Sequence, residues 1–203
     1  MSVPFEYELL CELTEASGVP GYEDEIREIV KRELEPEVDS LRSDAMGNVV
    51  GTIEGGDHEV VIGAHMDEIG FMVRHVTEDG FVQVDALGGW DARVLKAQRV
   101  VIHTETGDIP GVIGSVPPHT LDEEARNKTQ EVDDVAIDVG LDSEEAGERI
   151  SRGDLVTLDQ TTTRVGEHVT GKALDDRVCV FVMLEAARRI EDPDVTIHFA
   201  ATV

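Results

Sequence analysis

The sequence predicts an α/β protein in which an α/β layer is interrupted by a β-rich insertion and then resumes. Three observations carry this prediction. At both ends of the 203-residue chain, apolar residues at helical spacing alternate with short continuous apolar runs. Between the ends, short alternating runs are broken by frequent Gly, Pro and Asp turns. The chain is 40% hydrophobic but only 4% aromatic, so a core is available and must be built mostly from Val, Ile, Leu and Ala.

Taken in order, Phe5, Leu9, Leu10, Leu13 and Ala16 recur at helical spacing, and Gly18 with Pro20 ends that helix. A second helix is expected from Tyr22 to Leu34, with Ile26, Ile29, Val30 and Leu34 inward and Pro36 closing it. Val38 to Arg42 and Asn48 to Ile53 read as strands around an Asp44–Gly47 turn. Val60 to Ala64 is a continuous apolar run of the kind expected for a buried central strand.

From about Phe71 the texture changes. Runs at Phe71–Val76, Phe81–Val84, Arg99–Thr104 and Val112–Val116 are separated by Asp79-Gly80, Gly88-Gly89, Thr106-Gly107 and Pro117-Pro118. They predict a small β-barrel or sandwich-like module. Leu121 to Gln130 is polar and expected to be a surface excursion. Val135–Val139 resumes the strands, Ser143–Ile150 is a short helix, and Asp154–Leu158 closes the module. Near Gly171 the first texture returns, with a helix over Arg177–Ile190 whose apolar face holds Val178, Phe181, Val182, Met183, Leu184 and Ala187. Val195–Ala201 is again a buried-type strand. The segments are therefore 1–69, 70–166 and 167–203. Because domains rarely stop on an uncapped buried strand, the run through Val203 reads as a fragment truncated at its C-terminus.

Charge narrows the function classes. The 17 basic and 44 acidic residues give a net charge of -27. Phosphate recognition needs the opposite sign, so nucleic acid is excluded as a partner. Disorder is excluded by the recurring Val/Ile runs. Only Lys31, Lys96, Lys128 and Lys172 are lysines; an acidic, lysine-poor surface over an intact apolar pattern resembles adaptation to high salt, of the haloarchaeal kind. Neither a signal peptide nor a membrane-length apolar run is seen, so a cytoplasmic location and no membrane partner are expected. Cys11 and Cys179 lie in helix-like patterns and are expected as two buried free thiols.

Two features carry chemistry. His65-Met66-Asp67 follows the Val60–Ala64 strand directly, and ligands in open α/β sheets bind beyond strand carboxyl ends. Two residues apart on an extended chain, His65 and Asp67 share a face. One could bind a metal while the other fixes the imidazole tautomer. By itself, His-x-Asp does not separate this from an ordinary hydrogen-bonded strand-end histidine. Gly171-Lys172-Ala173-Leu174-Asp175-Asp176-Arg177 places two carboxylates just before a helix. They serve either as a helix cap or with one of them bridging two divalent ions.

Gly63-Ala64-His65-Met66-Asp67-Glu68-Ile69-Gly70-Phe71-Met72-Val73 closely resembles the metal motif of the tetrahedral (glutamyl-type) aminopeptidases, a family of co-catalytic dinuclear metallopeptidases. The resemblance continues in order through Leu13-Thr14-Glu15, Gly18–Glu23, Gly88-Gly89-Trp90-Asp91, Ile109–Gly114, Pro117-Pro118-His119 and Gly171–Arg177. It implies an aminopeptidase-type α/β/α layer, incomplete at the C-terminus, with an inserted small β-barrel, PDZ-like dimerisation domain. Residues 1–69 and 167–203 would form the catalytic domain and residues 70–166 the insertion. His65 would be a terminal metal ligand, Asp67 the catalytic-site residue orienting it, Asp175 the bridging ligand, and Asp176 would complete the turn. Two divalent ions are implied, zinc suiting the donors best and cobalt or manganese as substitutes. The expected reaction is removal of N-terminal residues from short peptides, with self-association from dimers to a dodecamer. In the family the strand resembling Val195–Val203 runs into a Gln-Glu-Glu segment carrying the base and a ligand, with an aspartate and a histidine later. Lacking these, the 203-residue chain is expected to be inactive alone.

The remaining candidates are read as structure. His119 is expected to cap a loop, and His58, His75, His103 and His198 are expected to be structural. Glu68, Asp122-Glu123-Glu124 and Glu131–Asp134 are read as solvated surface, and Trp90 as a packing anchor of the insertion. Two rival functions stand beside the peptidase. One is an endoglucanase-type glycoside hydrolase, disfavoured by one Trp and two Tyr as sugar platforms. The other is a non-catalytic assembly fragment.

Overall fold

The computed structural model describes residues 6–114 and 132–203. Contacts divide the chain into two compact units, Met1–Glu68 with Gln160–Val203, and Ile69–Asp159. Residues 160–166, read from the sequence as insertion, pack with the first unit. Phe5, Pro117-Pro118-His119, the excursion at 121–130 with Asp122-Glu123-Glu124, and Glu131 lie outside the described residues, as does the side chain of Asp133.

The first unit is helices on one face of a mixed sheet. Helix α1 (Tyr7–Glu15) buries Leu9, Leu10 and Leu13, and α2 (Asp24–Leu34) buries Ile26, Ile29, Val30 and Leu34, the spacing that puts one stripe inward. A 3-10 turn over Glu35–Glu37 takes Pro36 and ends α2. Strands β1 (Ser40–Ser43) and β2 (Val49–Ile53) pair antiparallel, and Asp44 Oδ1 closes their turn by accepting from the amides of Met46, Gly47 and Asn48. Strand β3 (Glu59–His65) follows, and the sheet order is β1-β2-β12-β3, with β12 (Thr196–Thr202) antiparallel to β2 and parallel to β3.

Strands β2 and β12 are interior; β12, read from the sequence as a buried strand, alternates buried and half-buried residues, with Ile197, Phe199 and Ala201 in the core. The Val60–Ala64 run, expected to be central, is instead in an edge strand among the described residues: Val60 is 44% and Val61 66% exposed. A continuous apolar run reports hydrophobicity on both faces and says nothing of which neighbours are present. Helix α4 (Leu174–Ala187) packs Val180, Phe181, Met183, Leu184 and Ala187 inward. Val178 and Val182, expected on that face, point out instead, because the buried arc is centred on Leu184. Cys179 lies beside them and is exposed, and Cys11 is half-buried, so the expectation of two buried thiols is corrected, although both are free. A hairpin of β10 (Thr163–Val165) and β11 (His168–Thr170) leads into α4; the sequence pattern did not announce it.

The second unit is a closed barrel of β4 (Gly70–Val76), β5 (Val82–Leu87), β8 (Ala136–Asp138), β7 (Gly107–Gly114), β6 (Arg99–Thr104) and β9 (Leu155–Leu158), in that order around the ring. Helix α3 (Ser143–Arg149) is capped by Asp142, which accepts from the Glu145 amide. Closure removes free strand edges, and Phe71, Val73, Val82, Val84, Val100, Ile102, Ile113, Ile137 and Val156 fill the interior. At Gly111 the barrel wall is close-packed: a Cβ there would come within 2.5 Å of Ile137 Cγ2. Trp90 does anchor packing, stacking on Phe71 at 4.7 Å and donating Nε1–H to the Gly70 carbonyl at 2.9 Å.

Candidate metal centre

His65 is the last residue of β3, and its backbone position is set by the β12 ladder, in which Thr202 pairs with His65. Met66 continues the pairing by donating its N–H to the Thr202 carbonyl at 2.7 Å. The strand ends there, so the imidazole stands at the carboxyl end of a parallel pair, the usual ligand position of such sheets. The other half of the centre comes from the entry to α4. Ala173 adopts a left-handed φ of 55°, and Asp175 and Asp176 are non-helical, so the regular helix starts at Arg177, as the sequence predicted. The Asp175–Asp176 peptide is cis, which no sequence pattern signalled.

The fold brings His65, Asp67 and Asp175 together across 110 residues of sequence. His65 Nδ1 lies 2.9 Å from Asp67 Oδ1, and Nε2 lies 3.2 Å from Asp175 Oδ1. In the protonated ring Nδ1–H donates to Asp67 and Nε2–H to Asp175; in the neutral ring that keeps its proton on Nδ1, the Nε2 lone pair is directed at the space shared with Asp175. Partial burial pulls the imidazole pKa down, but the charge of Asp67 and the bond to Asp175 outweigh it, and the net shift is upward. Asp175 itself is almost fully exposed, and among the described residues only its Oδ1 is seen to meet His65. Asp176 bonds within its own helix entry to Cys179 and raises that thiol, and its charge adds to the upward pull on His65.

A neutral imidazole nitrogen and a carboxylate within 3.2 Å are suitable donors for a divalent ion, so the residues present fit one. They form a partial set: among the described residues no three His, Cys, Asp or Glu side chains group to hold a metal ion by themselves.

Behind this centre lies a buried polar layer that sequence reasoning missed. Glu68, read as solvated surface, is 3% exposed. Its Oε1 accepts from Lys172 Nζ at 2.7 Å and from the Gly18 amide at 3.2 Å, while its own amide donates to the Gly18 carbonyl at 2.7 Å. Burial depresses Lys172 despite the opposing charge of Glu68. Arg177 is fully buried. Charged residues buried this completely are unusual, and the only signal in the sequence was their place in the same motifs as the site. Of the other histidines, His103 bridges Asp108 and Thr157 at 2.9 Å each, and His198 bonds Thr52 at 2.9 Å; His58 and His75 are exposed.

A mixed α/β layer interrupted by a closed barrel is the fold of the TET aminopeptidases. The structure superposes on the TET aminopeptidase of a marine-sediment Thaumarchaeota archaeon with a TM-score of 0.91 at 37% identity, covering 97% of this chain and 58% of that one. On an aminopeptidase of Desulfurococcus kamchatkensis the TM-score is 0.89 at 40% identity, covering 97% and 55%. Similar folds occur in a Pyrococcus horikoshii TET1 peptidase that can assemble into a tetrahedron or a large octahedral shell, at TM-score 0.85 and 34% identity, covering 97% and 60%. Another is a Thermotoga maritima protein named an endoglucanase, at 0.81 and 31%, covering 96% and 58%.

Residues 47–203 match the M42 glutamyl aminopeptidase family, and residues 6–29 match a second family described as AMPT. The chain belongs to the M42 glutamyl aminopeptidase family. It is 38% identical over 200 residues to the putative aminopeptidase FrvX of Escherichia coli K12, covering 97% of this chain, and 36% identical over 204 residues to the lysyl aminopeptidase of Pyrococcus furiosus, covering 98%. It spans 56% and 59% of the lengths of those relatives.

Proposed function

We propose that this chain serves a two-metal aminopeptidase reaction, releasing N-terminal residues from short peptides, with His65 and Asp175 as metal ligands and Asp67 orienting His65. The observation that carries the proposal is the His65 imidazole bonded through Nδ1 to Asp67 and facing Asp175 through Nε2. Asp67 holds the imidazole proton on Nδ1 and so keeps Nε2 available as a donor. Asp175, exposed at the helix entry, offers two oxygens and is the residue suited to bridge. Divalent ions bound there, zinc best matching these donors and cobalt or manganese able to substitute, would activate a water and polarise the peptide carbonyl.

The 203-residue chain is proposed to bind metal weakly and hydrolyse nothing alone, because catalytic zinc ordinarily takes three protein ligands and the described residues converge only two. Aminoacyl chromogenic substrates with added cobalt test this: robust turnover by the 203-residue chain would overturn it. Cobalt binding that survives His65→Ala unchanged would overturn the ligand assignment itself. A glycoside-hydrolase reading draws on the endoglucanase name of one structural neighbour. It predicts activity on cellulose chains that EDTA leaves intact, whereas the peptidase reading predicts loss with EDTA and recovery with cobalt.

We further propose that the barrel unit, Ile69–Asp159, mediates self-association, dimers building towards a dodecamer or larger shell, in line with the shells formed by the Pyrococcus horikoshii peptidase. Cytoplasmic residence and salt adaptation complete the proposal. Among the described residues no helix is long and apolar enough to cross a membrane.

A further inference from the structure

Resting on that reading of the centre, we propose that Arg177 is a positioning residue that sets the relative placement of His65 and Asp175. Arg177 lies two residues after Asp175, and its Nε donates to the carbonyl of Met66, the residue between His65 and Asp67. Its Nη1 donates to the carbonyls of Leu13 at 2.6 Å and Ala16 at 2.8 Å, at the end of α1. One guanidinium thus joins three segments: the α4 entry carrying Asp175, the strand end carrying His65 and Asp67, and the end of α1. Met66 is itself fully buried and held at both peptide groups, its N–H by Thr202 and its carbonyl by Arg177.

Only arginine suits this geometry. A planar fork can serve carbonyls in two directions at once, whereas a lysine ammonium on a flexible stem would satisfy a single cluster. Burial lowers the Arg177 pKa, while the charges of Glu68, Glu25, Asp67 and Glu23 favour its protonated form. The Lys172–Glu68 pair repeats the tie one layer away: Lys172 Nζ reaches the Ala16 carbonyl at 3.3 Å as well as Glu68. Gly18 completes the pocket, since a Cβ there would sit 2.8 Å from Arg177 Nη2 and 3.0 Å from Ile26 Cγ2. Outer partners of metal-binding histidines ordinarily matter for affinity by roughly 10–100-fold when removed.

The test reads the His65 imidazole directly by 15N-resolved NMR on the metal-free chain, comparing wild type, Arg177→Lys, Gly18→Ala and Leu34→Ala. Gly18→Ala keeps every donor and charge but crowds the guanidinium, so it probes position without removing the residue. Leu34→Ala lowers thermal stability from a core position that makes none of these bonds. Arg177→Lys and Gly18→Ala are expected to shift or split the His65 ring signals, while Leu34→Ala leaves them at wild-type values despite its loss of stability. Unchanged His65 signals in Gly18→Ala and in any folded Arg177→Lys, or an equal disturbance in Leu34→Ala, would overturn the proposal. A parallel cobalt titration separates it from the metal reading. Cobalt affinity should fall roughly 10–100-fold in Arg177→Lys. If His65→Ala binds cobalt like wild type while the ring signals still respond to Gly18→Ala, the ligand assignment fails and the positioning role stands.

Discussion

At the scale of single residues, His65 is the most informative group. Its pKa is raised, partial burial being outweighed by the Asp67 charge and the Asp175 bond. A raised folded-state value means the protonated imidazole stabilises the fold below the pKa of an unfolded histidine, and that contribution is lost as pH rises through the raised value. In the metal-free chain, NMR should therefore place the His65 midpoint above the ordinary range of a histidine, and Asp67→Asn should bring it down. A midpoint unmoved by Asp67→Asn would show that Asp67 does not govern this imidazole. The pairing of His65 with Asp67 was legible because period-two geometry puts both on one face of an extended chain. The burial of Glu68 and Arg177 was not, because a charged residue looks solvated until the partners that desolvate it are known.

Elements depend on close approach between helix and strand. Gly51 on β2 lies beneath Leu34 at the end of α2: a Cβ at Gly51 would meet Leu34 Cδ2 at 2.7 Å and Cγ at 2.9 Å. Gly51→Ala should destabilise by about 1–3 kcal/mol through overpacking. Leu34→Ala should cost about 2–5 kcal/mol through the cavity left by a fully buried side chain. Together they should lose less than the sum, with a coupling of about 0.5–3 kcal/mol, because the added methyl occupies space that Leu34 vacates. Chemical denaturation of the four proteins in the cycle measures this, and strict additivity would rule out the contact. Helices α1 and α2 and most barrel strands were legible from periodicity. The status of β3 was not, since Val60–Ala64 reads the same whether the strand is central or at an edge.

At the scale of the whole molecule, net charge dominates. A formal charge of -27 on 203 residues opposes compaction, and salt relieves that repulsion as the Debye length falls from about 10 Å at 0.1 M to about 3 Å at 1 M. The melting temperature should rise steadily between 0.1 M and 2 M KCl; a flat or falling curve would exclude salt adaptation. Sedimentation in molar KCl should likewise show species larger than a monomer, and deletion of Ile69–Asp159 with a short Gly-Ser bridge should abolish them. A strictly monomeric intact chain would sink the assembly proposal.

The sequence by itself determined the α/β class, the interrupted layer, the barrel-like insertion and the family, because periodicity, turn chemistry and ordered motifs are local properties of the chain. It also singled out His65, Asp67 and Asp175. Only the tertiary structure decided that β3 lies at an edge among the described residues, and that Asp175 faces His65 Nε2 at 3.2 Å. It alone revealed that Arg177 and the Lys172–Glu68 pair lie buried behind them. These depend on which distant segments share a neighbourhood: a strand's neighbours set its exposure, and a charge can be buried only where carbonyls or counter-charges from elsewhere in the chain replace its water.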